Sequence, residues 1–377
     1  MNVKTSANRG AFVAVLILSL LLIARAAPAG EGKRYVQTKE GQRPAPVVVA
    51  DNVCAWPNLT VLEDGTIVAT IFNQPSHGSV AGDVECWATK DNGATWRKVG
   101  TPAPHEPDTN RMNVAAGRAR NGDLLVIASG WSNQYPDGKP GAPFRAGILH
   151  AWLCRSSDGG RTWSIDKEGL PDRAPDGHPW IPFGDVLAGD DGVLRVPAYS
   201  WPGYSVRNER AWCIHSRDDG KTWEEFSPLD NDNLRNETAI LNLGGGKWLA
   251  AARHSALYGY ASEDNCKTWE SLGQLTQGGQ HPAHLLQLKD GRVLLSYGDR
   301  TGTVHGVEVL VTSDQGKTWS DPVRVVDWWG DGGYPSSVEL PDGQVLTAYY
   351  AAKIEGHDRY HMGVVVWDPE KSLGGAR

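Results

Sequence analysis

The amino-acid sequence predicts an all-β fold, a six-bladed β-propeller, and three observations carry that expectation. A signature of the form Ser/Thr-x-Asp-x-Gly-x-Thr-Trp recurs five times, at residues 89–96 (TKDNGATW), 156–163 (SSDGGRTW), 216–223 (SRDDGKTW), 262–269 (SEDNCKTW) and 312–319 (TSDQGKTW). Turn-forming pairs set between apolar runs alternate with it. No long helical period follows the N-terminus. A unit that returns at intervals of tens of residues marks a stack or ring of like modules.

The first element is a targeting segment. Lys4 and Arg9 precede an apolar stretch at residues 11–23, and small-residue sites follow at Ala24-Arg25-Ala26 and Ala27-Pro28-Ala29. This is the pattern of a secretory signal, and its apolar core is short for a membrane span. Residues 1–29 are therefore expected to be a signal peptide. The mature chain is expected to start near Ala27 or Gly30, to work outside the cytoplasm (secreted or periplasmic), and to have no stable membrane insertion after cleavage. Residues 30–377 are expected to form one domain.

Within that domain, apolar runs break at Asp64-Gly65, Asn121-Gly122, Asp191-Gly192, Gly245-Gly246, Asp290-Gly291 and Asp342-Gly343, as in LLQLKDGRVLLSY. Such pairs between alternating apolar runs are hairpin signals. A signature follows each of the first five turns, which divides the domain into six units of about four strands, the size of a propeller blade. In each signature the Asp bonds local amides and the Gly accepts positive φ, while Thr and Trp enter a strand. The box residues Asp91, Asp158, Asp218, Asp264 and Asp314 thus read as structural. The sixth unit lacks a box and ends at residues 362–367 (MGVVVW), and residues 45–50 (APVVVA) are a candidate to close the ring by pairing with it. Closure removes the exposed edges of an open sheet.

Composition agrees. The 377 residues include 44 Gly, 23 Pro and 16 Trp, as short strands and turns require. A net charge of -7 argues against a nucleic-acid binder. The five cysteines, an odd number, leave at least one unpaired within the chain. Cys86, Cys154 and Cys213 precede box aspartates at similar spacing and read as buried apolar residues in equivalent strands, and Cys266 replaces a box Gly. The pair His281 and His284 (HPAH) reads as a loop at the start of a unit rather than as metal ligands. Trp131, Trp180, Trp201, Trp328 and Trp329 fall between the expected strands, for packing or as stacking surfaces.

The signatures resemble the Asp-boxes, or BNR repeats, of sialidases. The resemblance spans essentially the whole mature chain and implies a sialidase-type six-bladed β-propeller with five Asp-boxes. Function must still be argued from the site. A sialidase site needs arginines for the sugar carboxylate and a Tyr nucleophile, an exception to the usual carboxylate pair. It needs a Glu to take the proton of a phenol whose pKa is about 10, and an acid for the leaving oxygen. By resemblance, Glu237 and Arg253 (NETAILNLGGGKWLAAAR) are the Glu and one Arg, Tyr334 (GDGGYPSSVELPDG) is the nucleophile, and Arg300 (SYGDR) is a second Arg. The family's Arg-Ile-Pro motif is replaced by Ala55-Trp56-Pro57, so one arginine of the triad is missing, and Arg111 or Arg118 (NRMNVAAGR) is a substitute by proximity alone. In the loop NQPSHGSVAGDVECW, Asp83 is the leading candidate for the acid, with Glu85 and His77 behind it.

The expected activity is that of a retaining exo-α-sialidase-like hydrolase acting on a glycan or glycoconjugate that ends in sialic acid or a related acidic sugar. The resemblance implies no cofactor or metal. Two other readings stay open: a hydrolase or lyase for a different, uronate or neutral, glycan, and a non-catalytic glycan-binding propeller.

Overall fold

The computed structural model describes residues 32–139, 141–203 and 208–374. The chain divides into two units, Met1–Lys33 and Arg34–Arg377, and every strand below belongs to the second. The expected signal peptide lies outside the described residues. Among those residues no helix is long and apolar enough to cross a membrane, and α-helix is confined to Pro369–Leu373.

Antiparallel pairing traces one four-stranded meander per sequence unit. The first runs Asn58–Val61, Ile67–Phe72, Val84–Thr89, Arg97–Ala103. The second runs Asn113–Arg118, Leu124–Ser129, Trp152–Ser156, Ser164–Asp166. The third runs Gly184–Ala188, Leu194–Ser200, Ala211–Ser216, Glu225–Pro228, and its first strand lies parallel to the first strand of the second meander, Gly184 beside Ala115. The fourth runs Thr238–Gly244, Lys247–Arg253, Leu257–Ser262, Glu270–Gln274. The fifth uses Gln280–Gln287, Val293–Asp299, His305–Thr312 and the start of Val323–Glu339. The end of that long strand begins the last meander, with Val345–Lys353, His361–Trp367 and, from the N-terminal side, Val47–Asp51. The expected pairing of residues 45–50 with the last unit is therefore observed, Val47 opposite Val364.

The boxes fold as their chemistry dictates. In all five the Thr amide donates to the Asp Oδ1 at 2.9 Å, and the Thr hydroxyl donates to Oδ2. The Trp indole donates to the box Gly carbonyl in four of them. The fifth, with Cys266 in place of Gly, holds that cysteine at φ 65 and leaves Trp269 Nε1 buried without a partner. Positive φ carries a Cβ penalty, so this hairpin stores strain that a glycine avoids.

All five cysteines are free and buried, and Cys86, Cys154 and Cys213 occupy the third strand of their meanders, as their spacing implied. Several aromatic expectations need correction. Trp131, Trp180, Trp328 and Trp329 lie in strands, not loops, and Trp328 is fully buried. The glycine run before Tyr334 does not interrupt its strand, because register shifts at Trp329/Gly332 and Gly333/Ser336 absorb the extra residues. His281 and His284 also lie within a strand.

Candidate active site

First strands of several meanders converge on a cavity of about 160 Å³ whose walls include Asn58, Phe183, Tyr199, Glu237, Ser336 and Tyr334. Glu237 directly precedes Thr238–Gly244, and Arg253 closes the neighbouring strand, its amide bonded to the Glu237 carbonyl at 3.0 Å. The hairpin between them therefore brings two residues sixteen apart side by side. Tyr334 enters from a different meander. Its hydroxyl donates to Glu237 Oε1 at 2.6 Å and accepts from Arg253 Nη1 at 3.3 Å, and the same nitrogen pairs with Glu237 Oε2.

The electrostatics of this trio are internally consistent. Burial pushes the Tyr334 phenol up, and the Glu237 charge adds to it, although Arg253 and Arg300 oppose. The phenol is thus neutral at ordinary pH and needs an acceptor for its proton. Burial would also raise Glu237, but the charge of Arg253 and hydrogen bonds from Tyr334 and Arg253 outweigh it and hold the carboxyl below its usual value. Glu237 is then an ionised acceptor in contact with the hydroxyl it would deprotonate. Beside them, burial and the two arginines push His281 down to about 3, so its imidazole is neutral.

Arg300 sits with its guanidinium carbon 5.8 Å from the Tyr334 ring centre. Its Nη2 donates to the Gly332 carbonyl at 2.6 Å and its Nη1 to the His281 carbonyl. Both ends therefore clamp backbone near the irregular stretch of strand that carries Tyr334. Tyr334 adopts φ 49, and Trp56, which also lines the cavity, adopts φ 42. Positive φ at a bulky residue costs about 1–3 kcal/mol and persists only where the surroundings over-determine it. Trp56 is held by contacts to Phe72, His77, Tyr350 and Tyr334, with ring centres between 4.9 and 6.1 Å.

Four further candidate residues lie outside the cavity wall or are engaged by other partners. Arg111 is buried, stacks 3.6 Å over Trp152 and bonds the His150 carbonyl at 2.7 Å, which places it outside the cavity wall. Arg118 pairs with Glu63 at 2.6 Å, also away from the wall. Asp83 is taken up by His105, whose backbone amide and ring nitrogen reach Oδ1 at 2.8 and 2.6 Å. Glu85 bonds Lys98 at 2.7 Å and Trp87 at 3.0 Å. Of the candidate acids, His77 alone lines the cavity. Ala55, in place of the first triad arginine, is fully buried in the hydrophobic core.

The sequence did not single out Asn58, Arg145 or Asp331. Asn58 Oδ1 is a buried acceptor without a partner on the cavity wall, while its Nδ2 donates to the Gly184 carbonyl at 2.7 Å. Arg145 lines the wall, but its Nη1 and Nη2 bond the carbonyls of Gly78 and His77. Asp331 lies three residues before Tyr334 and pairs with His77 at 3.0 Å. Among the described residues one group has metal-ligand chemistry, Cys54, His77 and Asp331, with donor atoms within 4.8 Å of one another. It fits a metal poorly: burial pushes the Cys54 thiol well up, which favours the protonated form, and His77 and Asp331 already bond each other.

A tyrosine hydroxyl held between a carboxylate and a guanidinium, on a sheet frame of repeated Asp-anchored hairpins, defines a BNR protein of the sialidase superfamily. The chain belongs to the BNR repeat-like domain family, which matches residues 65–347. It is 24% identical over 230 residues to a sialidase of Clostridium perfringens, covering 57% of this chain and 59% of that protein. The chain thus spans little more than half the length of that relative. Among solved structures it is similar to a protein of unknown function from Dyadobacter fermentans, with TM-score 0.70, 24% identity, and coverage of 86% of this chain and 98% of that one. It is also similar to a mutant Trypanosoma rangeli sialidase displaying trans-sialidase activity, with TM-score 0.60, 17% identity, and coverage of 91% and 58%.

Proposed function

We propose that the protein is an exported six-bladed β-propeller glycoside hydrolase of sialidase type. Its reading is that it removes terminal sialic acid, or a related acidic sugar, from a glycan with retention. The observation that carries it is the contact of Tyr334, which lines the cavity with Glu237, with both Glu237 and Arg253. Glu237 accepts the phenolic proton as Tyr334 Oη bonds the anomeric carbon. A neutral nucleophile suits an anomeric carbon that bears a carboxylate, because a carboxylate nucleophile would be repelled. Arg253, bonded to the Tyr334 hydroxyl, supplies positive charge for an acidic sugar, and Arg300 adds its charge nearby while its donors hold the His281 and Gly332 carbonyls. The one-per-unit meanders and the pairing of Val47–Asp51 with the last of them support the propeller, and the leader sequence supports export.

A second reading keeps the site and changes the sugar. The burial of Ala55 favours it, since the first triad arginine has no counterpart there. A uronate-bearing glycan is then the substrate, cleaved by hydrolysis or by lyase chemistry. The test is turnover of a fluorogenic sialoside and a panel of uronate glycans by the mature protein, with Tyr334→Phe alongside. Sialoside cleavage abolished by that substitution supports the first reading, and cleavage of uronate glycans alone supports the second. Binding without turnover, unchanged in Tyr334→Phe, would sink both and leave a glycan-binding module.

A further inference from the structure

We propose that His77, oriented by Asp331, is the group that protonates the leaving oxygen, a role that rests on the hydrolase reading above. The cavity wall carries Tyr334, Glu237 and His77, and the Trp56 ring contacts both His77, at 4.9 Å, and Tyr334, at 6.1 Å between ring centres. His77 Nδ1 bonds Asp331 Oδ2 at 3.0 Å. With Nδ1–H given to the carboxylate, Nε2 is the nitrogen left to face a substrate. Asp331 is itself fixed by the hydroxyls of Tyr350 at 3.0 Å and Tyr360 at 3.1 Å. A carboxylate that sets the tautomer and aim of an imidazole is how histidine is made into a directional proton carrier.

The backbone behind His77 is held as firmly as its ring. Arg145 donates to the carbonyls of His77 and Gly78 at 3.0 and 2.8 Å. Asn110 Nδ2 donates to the carbonyls of Gly78 and Val80 at 3.0 and 3.2 Å. Gly78 takes φ 68, and a Cβ there would run into Met112. Stability alone does not account for this. The His77 and Asp331 side chains are 54% and 31% exposed, and an exposed pair contributes about 0–1 kcal/mol. Four hydrogen bonds and a left-handed glycine serve instead to present one exposed imidazole to a cavity. Asp83, just before the strand Val84–Thr89, and Glu85, within it, are bound up with His105 and with Lys98 and Trp87.

The steps balance. In the first, Tyr334 Oη bonds the anomeric carbon and gives its proton to Glu237. The bond from that carbon to the leaving oxygen breaks, and His77 Nε2 gives its proton to that oxygen, leaving a neutral imidazole. In the second, His77 takes a proton from water, whose oxygen bonds the anomeric carbon. Tyr334 departs and recovers its proton from Glu237. Asp331 stays ionised throughout and acts as a positioning residue.

The experiment compares leaving groups. The parent mature protein, His77→Gln, Asp331→Asn and Tyr334→Phe are assayed on the 4-methylumbelliferyl sialoside and on sialyl-lactose, and on the 4-methylumbelliferyl glucuronide and a glucuronyl disaccharide. An aryl leaving group departs without a proton, whereas a sugar hydroxyl does not. His77→Gln should lower kcat/KM on the disaccharide by about 100-fold or more, the scale of general acid catalysis, and on the aryl glycoside far less. Asp331→Asn should show the same selectivity with a smaller loss, which a loss of folded protein cannot imitate, since that lowers both substrates equally. Equal losses on both substrates, or none, would overturn the role of His77. Should the parent turn over none of the four, the hydrolase reading falls and this one with it. Turnover that survives Tyr334→Phe but keeps the leaving-group selectivity of His77→Gln removes the nucleophile and retains the acid.

Discussion

Glu237→Gln tests the core of the site with the least change of shape. The amide keeps an acceptor for the Tyr334 hydroxyl, now 2.6 Å from Oε1, but removes the base and the counter-charge of Arg253. A positioned general base is worth about 10²–10⁴ in rate, so kcat/KM should fall by about 1,000-fold, close to 4 kcal/mol of barrier. Stability should fall as well. The side chains of Glu237 and Arg253 are 13% and 26% exposed, between a surface pair worth about 0–1 kcal/mol and a buried pair whose rupture costs about 3–5. A loss of about 2 kcal/mol follows. Its pH dependence has a definite sign. The folded-state pKa of Glu237 is depressed, so its contribution is present above the ordinary carboxylate value and is lost as pH falls through the depressed one. The stability gap between parent and variant, read by urea unfolding, should therefore be full at pH 7 and close in acid. A folded Glu237→Gln protein that turns over within about 10-fold of the parent would refute the base role.

Restoring the missing triad residue should not restore a sialidase triad: Ala55→Arg places a guanidinium at a fully buried core position, and overpacking by about 1–3 kcal/mol plus an unpaired charge should lower the Tm sharply. Arg324→Leu should cost about 3–5 kcal/mol, because that fully buried guanidinium bonds Asp299 at 2.6 Å and Glu308 at 2.8 Å. By contrast Lys39→Ala, at a pair 45% and 40% exposed, should move unfolding by about 1 kcal/mol or less. The boxes should set the acid limit of the fold. Hydrogen bonds from Thr162 and Thr318 hold Asp158 and Asp314 down to about 2, so their contribution should be lost as pH falls from about 4 toward that value, and Asp158→Asn should flatten the stability curve over that window.

The frame was legible because its information is local. Each box closes on itself within eight residues, and each turn pair bonds across its own hairpin, as Leu62 does to Thr66. Glu237 and Arg253 were legible for the same reason, since one hairpin sets them together. Tyr334 was found through family resemblance, and its contact with Glu237 spans 97 positions. Asp83 looks free in sequence, and its engagement by His105 shows only in the fold. The pair His77 and Asp331 is separated by 254 positions, and no spacing rule reaches that far. Stacking on Trp152 keeps Arg111 off the wall, while Arg145, which the sequence did not single out, reaches it through bonds to the Gly78 and His77 carbonyls.

Arg300 separates two meanings of a site arginine. In a carboxylate-binding role its donors would be open to substrate. Here Nη1 and Nη2 are committed to the carbonyls of His281 and Gly332, the latter two residues from Tyr334. The guanidinium thus holds the bulged backbone beside Tyr334, which adopts φ 49, and its fork matches two carbonyls in a way an ammonium cannot. Arg300→Lys keeps the charge and loses the clamp. If positioning is the dominant contribution, kcat should fall by about 10–100-fold with KM little changed, the signature of an interaction realised in the transition state. If Arg300 instead grips an acidic sugar directly, KM should rise while kcat holds, and the preserved charge should soften even that loss. The first outcome would leave Arg253 as the nearer positive charge for an anionic substrate and shift its remaining recognition to the wall, where Asn58 Oδ1 offers a buried, unpartnered acceptor to a sugar hydroxyl.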